Sequence, residues 1–131
     1  MTKNKFPKNY RQILGKFGEN YIKSALIHKK YEILATNYRS KFGEIDIITK
    51  KNNIIEFIEV KTRSIPLFQY PEESITFKKK QRLTTTALTF LSETRDNNPG
   101  LLRNTSWRIV VIGLILDQQR RVIKVTKTPI E

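Results

Sequence analysis

"GEIDIITKKNNIIEFIEVKTR", residues 43–63, holds two runs rich in Ile, Val and Phe on either side of Lys-Lys-Asn-Asn. Asn52 and Asn53 tolerate the positive φ that a tight hairpin turn requires, so Gly43–Lys50 and Ile54–Arg63 are expected to be the strands of an antiparallel hairpin. Strict alternation would place Gly43, Ile45 and Ile47 on one face and Glu44, Asp46 and Ile48 on the other. Glu59 and Lys61 repeat the anomaly in the second strand. Ionisable groups in a sheet need a physical reason.

The register of the hairpin supplies one. A turn centred on Asn52 and Asn53 sets Lys51 opposite Ile54, and counting back along both strands sets Asp46 opposite Glu59. Directly opposed carboxylates repel, and must share a proton or be neutralised by a cation. A hard divalent ion such as Mg²⁺ commonly takes one or two carboxylates together with waters and substrate phosphates. Asp46 and Glu59 suit that pattern, with the Val60 carbonyl as a third protein ligand. Lys61 lies on the same face as Glu59, about 6.6 Å further along the strand, where it can orient or deprotonate a water or hold a phosphate. In the bland alternative, Lys61 simply neutralises the two acids in a buried ion-pair cluster and no metal is needed.

Outward from the hairpin, Tyr10, Ile13, Leu14, Phe17 and Tyr21, then Ile22, Ala25 and Leu26, recur at helical spacing and predict a helix from Tyr10 to about His28. Gly15 and Gly18 each cost that helix about 1 kcal/mol relative to Ala, which points to close approach of another backbone. "YEILATNY", residues 31–38, predicts a first strand. After a loop with Pro66 and Pro71, a second helix is expected from about Phe77 to Thr94, with Leu83, Ala87, Phe90 and Leu91 inward and Ser74 or Thr76 as its cap. "RDNNPG" ends it. "SWRIVVIGLIL", residues 106–116, is apolar on both faces and reads as a central strand, and "RVIKVTKT", residues 121–128, as a Lys-rich edge strand. The order is helix, three strands, helix, two strands, within a single domain spanning residues 1–131.

Seven Phe, five Tyr and one Trp in a chain that is 38% hydrophobic argue for a folded core. Twenty-five Lys and Arg against twelve Asp and Glu leave a formal charge of +13, for which a polyanionic partner is the leading explanation and a biased, Lys-rich composition the bland one. With no cysteine, disulfides, thiolate metal sites and cysteine nucleophiles are excluded; with His28 as the only histidine, so is a histidine-rich zinc site. No apolar run approaches the length of a spanning helix. The expectation is a soluble, cytoplasmic protein without a membrane partner.

The ordered motifs "GKFGENYIKSAL", "ILATNYR", "GEIDII", "FIEVKTR" and "KKKQRLTTTALTFL" resemble the YraN-like proteins, uncharacterised members of the PD-(D/E)xK nuclease superfamily with Holliday-junction-resolvase character. The resemblance covers roughly Gly15 to Leu91. It implies a restriction-endonuclease-like α/β fold, a mixed sheet flanked by helices in the order αβββαββ, and Mg²⁺-dependent cleavage of DNA, with Mn²⁺ as a substitute. By resemblance Asp46 is the metal-binding acid, Glu59 the second acid, Lys61 the motif lysine, and Glu19 in "FGEN" an additional acid that completes the metal site. Position 45 is Ile where the superfamily's name places proline. Periodicity alone sets Glu19 nearly opposite the early apolar stripe of its helix.

Lys79, Lys80 and Gln81 at the start of the second helix are candidates for nucleic-acid contact, as are Arg39 and Arg63 at strand ends; for Arg39 a salt bridge to Glu44 is an equal contender. Three functions follow: a metal-dependent endonuclease on DNA, selective for branched or junction structures; a non-catalytic nucleic-acid-binding protein that keeps the nuclease fold; and a partner-binding scaffold. Two symmetric cleavage points in a four-way junction would favour a homodimer.

Overall fold

The computed structural model describes residues 8–65 and 76–130. Helix α1 (Tyr10–His28) is followed by strands β1 (Glu32–Ser40), β2 (Gly43–Lys51) and β3 (Ile54–Ser64), helix α2 (Phe77–Asn97), a short 3₁₀ turn (Pro99–Leu102), and strands β4 (Ser106–Leu116) and β5 (Val122–Ile130). This is the αβββαββ order expected from periodicity. The five strands form one mixed sheet in the order β1-β2-β3-β4-β5. Its first three strands are an antiparallel meander, β4 joins β3 in parallel after α2, and β5 returns antiparallel. This arrangement is consistent with a nuclease-like core. Among the described residues no helix is long and apolar enough to cross a membrane.

The β2–β3 turn is the one its sequence predicts: Asn52 and Asn53 have φ of 51° and 62°, and Lys51 pairs with Ile54. Central position falls to β3, with β4 beside it, and β5 forms the edge. Pro129 sits on that edge opposite Val110, where a missing N–H interrupts no ladder. At the head of α2, the Thr76 hydroxyl accepts from the Lys79 N–H at 3.1 Å, which settles the cap on Thr76. The alternative cap Ser74 and the loop prolines Pro66 and Pro71 lie outside the described residues.

Two apolar cores sandwich the sheet. Leu14, Ile22 and Leu26 of α1 pack on Ile47, Ile58, Val110, Ile112, Leu114 and Leu116; Leu83, Ala87 and Leu91 of α2 pack on Ile45, Ile48, Ile55, Phe57 and Ile109. Tyr38 and Phe90 meet edge to face at the second core, and Phe90 meets Phe57 likewise. The buried column of α1 is Leu14, Gly18, Ile22 and Leu26, so Tyr21, expected inside, is 42% exposed.

The two helix glycines part company. A Cβ on Gly18 would lie 1.8 Å from Thr62 Oγ1 and 3.0 Å from Thr62 Cβ; what presses on it is a β3 side chain rather than a backbone. A Cβ on Gly15 would meet nothing within 4 Å among the described residues, so none of them makes a close approach there. Gly18→Ala is therefore expected to destabilise the protein by about 1–3 kcal/mol, outweighing the helix-propensity gain. Denaturant titration checks this: Thr62→Ala in the same chain should recover most of the loss, and a more stable Gly18→Ala single variant would refute the packing.

A further sheet carboxylate also finds its reason. Glu56, on the α1 face of β3, is buried and held by Arg108 Nε at 2.7 Å and Lys127 Nζ at 2.9 Å, which ties β3 to β4 and β5. Burying a carboxylate is tolerable only with such partners.

Candidate functional site

The β2–β3 ladder runs from Lys51↔Ile54 to Ile47↔Ile58 and stops there. The next two positions are Asp46 and Glu59, so the register expected from the turn carries the acids to the point where the strands part. Asp46 Oδ2 accepts the Val60 N–H at 2.7 Å. The carboxylate thus takes up a backbone donor that a continuing ladder would have used, and it bridges the opening.

Regular alternation fails at this same position. Ile45 packs in the α2-side core and Ile47 in the α1-side core, although residues two apart should share a face. The expectation that Gly43, Ile45 and Ile47 share a face is corrected accordingly: Ile45 shares its face with Ile48. The neighbouring strand is irregular at the same level. Thr36 pairs with Ile47 and Tyr38 with Ile45, and Asn37 between them, beside Asp46, has a left-handed φ of 51°. Asn tolerates that conformation. As the backbone turns over at Asp46, its side chain is released from either face and reaches the neighbouring strand.

The electrostatics follow from this placement. Burial pushes the Asp46 carboxyl up to about 7 against the pull of the Val60 N–H, and the charges of Glu19, Glu59 and Glu44 push in the same direction. Glu19 is half-buried rather than solvated, and its own pKa is raised by burial, with Lys16 opposing and Glu44 adding. Helix periodicity misplaces Glu19 because it flanks Gly18, the position where α1 sinks closest to β3. Glu59 Oε1 is held by Lys79 Nζ at 2.9 Å, while Glu59 Oε2 is buried without a hydrogen-bond partner. The cation that meets Glu59 therefore comes from α2, where a phosphate contact was expected for Lys79.

Lys61 is half-buried on the Glu59 face of β3, opposite Gly113 of β4; Arg63 follows opposite Ile115. Arg39 Nε lies 3.6 Å from Glu44 Oε2 in a solvent-exposed pair, a contact worth little and easily exchanged. Two clefts flank the acids, and Glu44 lines both. On the α2 side stand Phe42, Gly43, Glu59, Lys79 and Arg82; on the α1 side Arg11, Gly15, Lys16, Glu19, Asn37 and Arg39. Lys80 and Gln81 line neither. Phe42, Arg82, Arg11 and Lys16 escaped the sequence reading, although Arg11 lies two helical turns before Glu19 and so shares its face.

Among the described residues no three or more His, Cys, Asp or Glu side chains come close enough together to hold a metal, so Asp46, Glu59 and Glu19 do not form a three-carboxylate cluster. Lys79 engages only one Glu59 oxygen; the other, Oε2, is buried without a hydrogen-bond partner among the described residues.

Residues 18–114 match the model of an uncharacterised protein family, UPF0102. The chain belongs to UPF0102. Among its UPF0102 relatives are proteins of Caldicellulosiruptor bescii, 38% identical over 89% of this chain and 93% of the relative, and of Clostridioides difficile, 42% identical over 81% and 88%. A Sulfurihydrogenibium relative is 44% identical over 76% of this chain and 82% of its own. UPF0102 is the YraN family, so the resemblance carried by the sequence motifs is borne out. The matched region contains Glu19, Asp46, Glu59, Lys61 and Lys79, whereas Arg11, Gly15 and Lys16 precede it.

Proposed function

We propose that this protein is a metal-dependent endonuclease that hydrolyses phosphodiesters in DNA and selects its substrate by structure, with branched or junction DNA preferred. The observation that carries the reading is the placing of Asp46 and Glu59 at the parting of β2 and β3, where Asp46 Oδ2 accepts the Val60 N–H and Glu59 keeps a buried oxygen with no partner among the described residues. A strongly basic chain gains nothing for phosphate binding from such acids. They serve chemistry when a cation covers them.

In this reading Asp46, Glu59 and the Val60 carbonyl hold Mg²⁺ or Mn²⁺, and Glu19 adds negative charge close by. An ion held there would supply polarisation of the phosphate and a water nucleophile near neutral pH. Lys61 orients the attacking water or holds the scissile phosphate. Lys79 fixes the Glu59 carboxylate through one oxygen and leaves the other for the ion. Arg39, Arg63, Lys80 and Gln81 contact the phosphate backbone, which positions the nucleic acid without reading its sequence. Cleavage of a four-way junction would engage two copies of the chain.

The Lys79–Glu59 ion pair favours a second reading, since it neutralises one acid without any metal: a nucleic-acid-binding protein on a nuclease fold. Incubation of the parent and Glu59→Gln with labelled duplex, single-stranded, flapped and four-way-junction DNA separates the two. Endonuclease activity requires cutting by the parent with Mg²⁺ or Mn²⁺, none with chelator, and a loss of at least about 100-fold in the variant. Metal-independent binding with no cutting under any condition would establish the second reading.

A further inference from the structure

Gly15 occupies the second turn of α1, where glycine weakens a helix, yet the fold does not require it. Its φ is not left-handed, and a Cβ there meets no atom of the described residues within 4 Å. Gly18 answers to Thr62; Gly15 answers to no described residue. It opens instead onto the α1-side cleft, a space of about 650 Å³ and far too large for a bare ion. Glycine is the usual device where a ligand lies directly against backbone.

The cleft is graded in charge. Arg11, Gly15 and Glu19 succeed one another at four-residue intervals on one face of α1, about 6 Å apart along its axis. Lys16 stands beside them and Arg39 of β1 also lines the cleft. At the inner end Glu19 and Glu44 lie near enough to Asp46 to raise its pKa. We propose that this cleft seats the sugar–phosphate backbone of a nucleic-acid strand on its way to Asp46, with Gly15 as the point where the strand lies against helix backbone. The inference rests on the nucleic-acid reading above and adds the face on which the strand runs. Arg11, Lys16 and Arg39 neutralise its phosphates, and the acids at the inner end admit it only when a cation covers them.

Lys61 and Arg63 lie beside the acids and meet the strand there on either approach; the competing approach continues past them on the opposite face, along the cross-strand rows Gly113–Thr126 and Ile115–Lys124, to the β5 edge. Fluorescence anisotropy with labelled single-stranded and flapped DNA, in chelator so that nothing is cut, distinguishes the two. Gly15→Ala should raise the melting temperature by about 2–5 °C and still weaken binding severalfold. Gly15→Leu, a good helix former, should weaken it by roughly tenfold or more, because a larger side chain fills the contact. Lys16→Ala should lower the salt slope by about one, and Lys124→Ala should leave affinity unchanged. Parental affinity in a folded Gly15→Leu variant, or a loss confined to Lys124→Ala, would overturn the placement. A parent protein that binds no DNA at low salt would overturn the proposed function along with it.

Discussion

Asp46→Asn is expected to lower metal-dependent cleavage by about 1000-fold or more while leaving nucleic-acid binding in chelator unchanged or severalfold tighter. The two effects have opposite signs for one reason. Asn is close in shape to Asp and keeps an oxygen to accept the Val60 N–H, so the hydrogen bond that bridges β2 and β3 survives. What disappears is the negative charge, which an ion needs as a ligand and which repels phosphate when no ion is present. Single-turnover cleavage and anisotropy on the same preparation check both halves. Cleavage at the parental rate would remove Asp46 from the chemistry, and weaker binding would show that its contribution is structural.

The stability of the metal-free protein should fall as pH rises from about 4 to 7. The folded-state pKa of Asp46, about 7, lies above the ordinary value of 3.8, so in this window the native state holds a proton that the unfolded chain has released. Stability then declines with rising pH, levels off above the folded pKa, and is greatest in acid as far as this group is concerned. Glu19, also raised, acts in the same direction. A shift of this size corresponds to about 4 kcal/mol at most, and relaxation around the charged carboxylate brings the expected loss to about 2–3 kcal/mol, or roughly 10 °C in melting temperature. Melting curves from pH 5 to 8 measure it. Asp46→Asn should flatten the profile and be the more stable protein at pH 8, and Mg²⁺ should restore the parent at pH 8 by binding the folded state. A flat parental profile would mean that Asp46 ionises without penalty.

These two expectations draw on different depths of information. That Asp46 and Glu59 come next after the last pair of the β2–β3 ladder is legible in the sequence, because the Asn52–Asn53 turn fixes the register locally and the pairs up to Ile47 and Ile58 follow by counting; that the ladder ends there, with Asp46 on the Val60 N–H, is not. That the Asp46 pKa is raised is not legible, since it depends first on the burial of the carboxyl between packed elements and then on the charges of Glu19, Glu59 and Glu44 beside it. Lys79 illustrates the same division: its place in the first turn of α2 is predictable, while its ion pair with Glu59 depends on how α2 lies across the sheet.

The sequence by itself determined the order of the elements, the hairpin and its register, the membership of α1 and α2 in the core, and the family. All of these rest on short-range regularities, namely the periods of helix and strand, turn residues that accept positive φ, and ordered motifs. Only the tertiary structure decided that the strand turns over at Asp46, that Glu19 is drawn toward it, and that Gly18 faces Thr62 while Gly15 faces an open cleft. Periodicity states which way a side chain points within its own element. What it meets there is set by packing between segments distant in the chain, and where alternation breaks, as between Ile45 and Ile47, even the direction departs from the period.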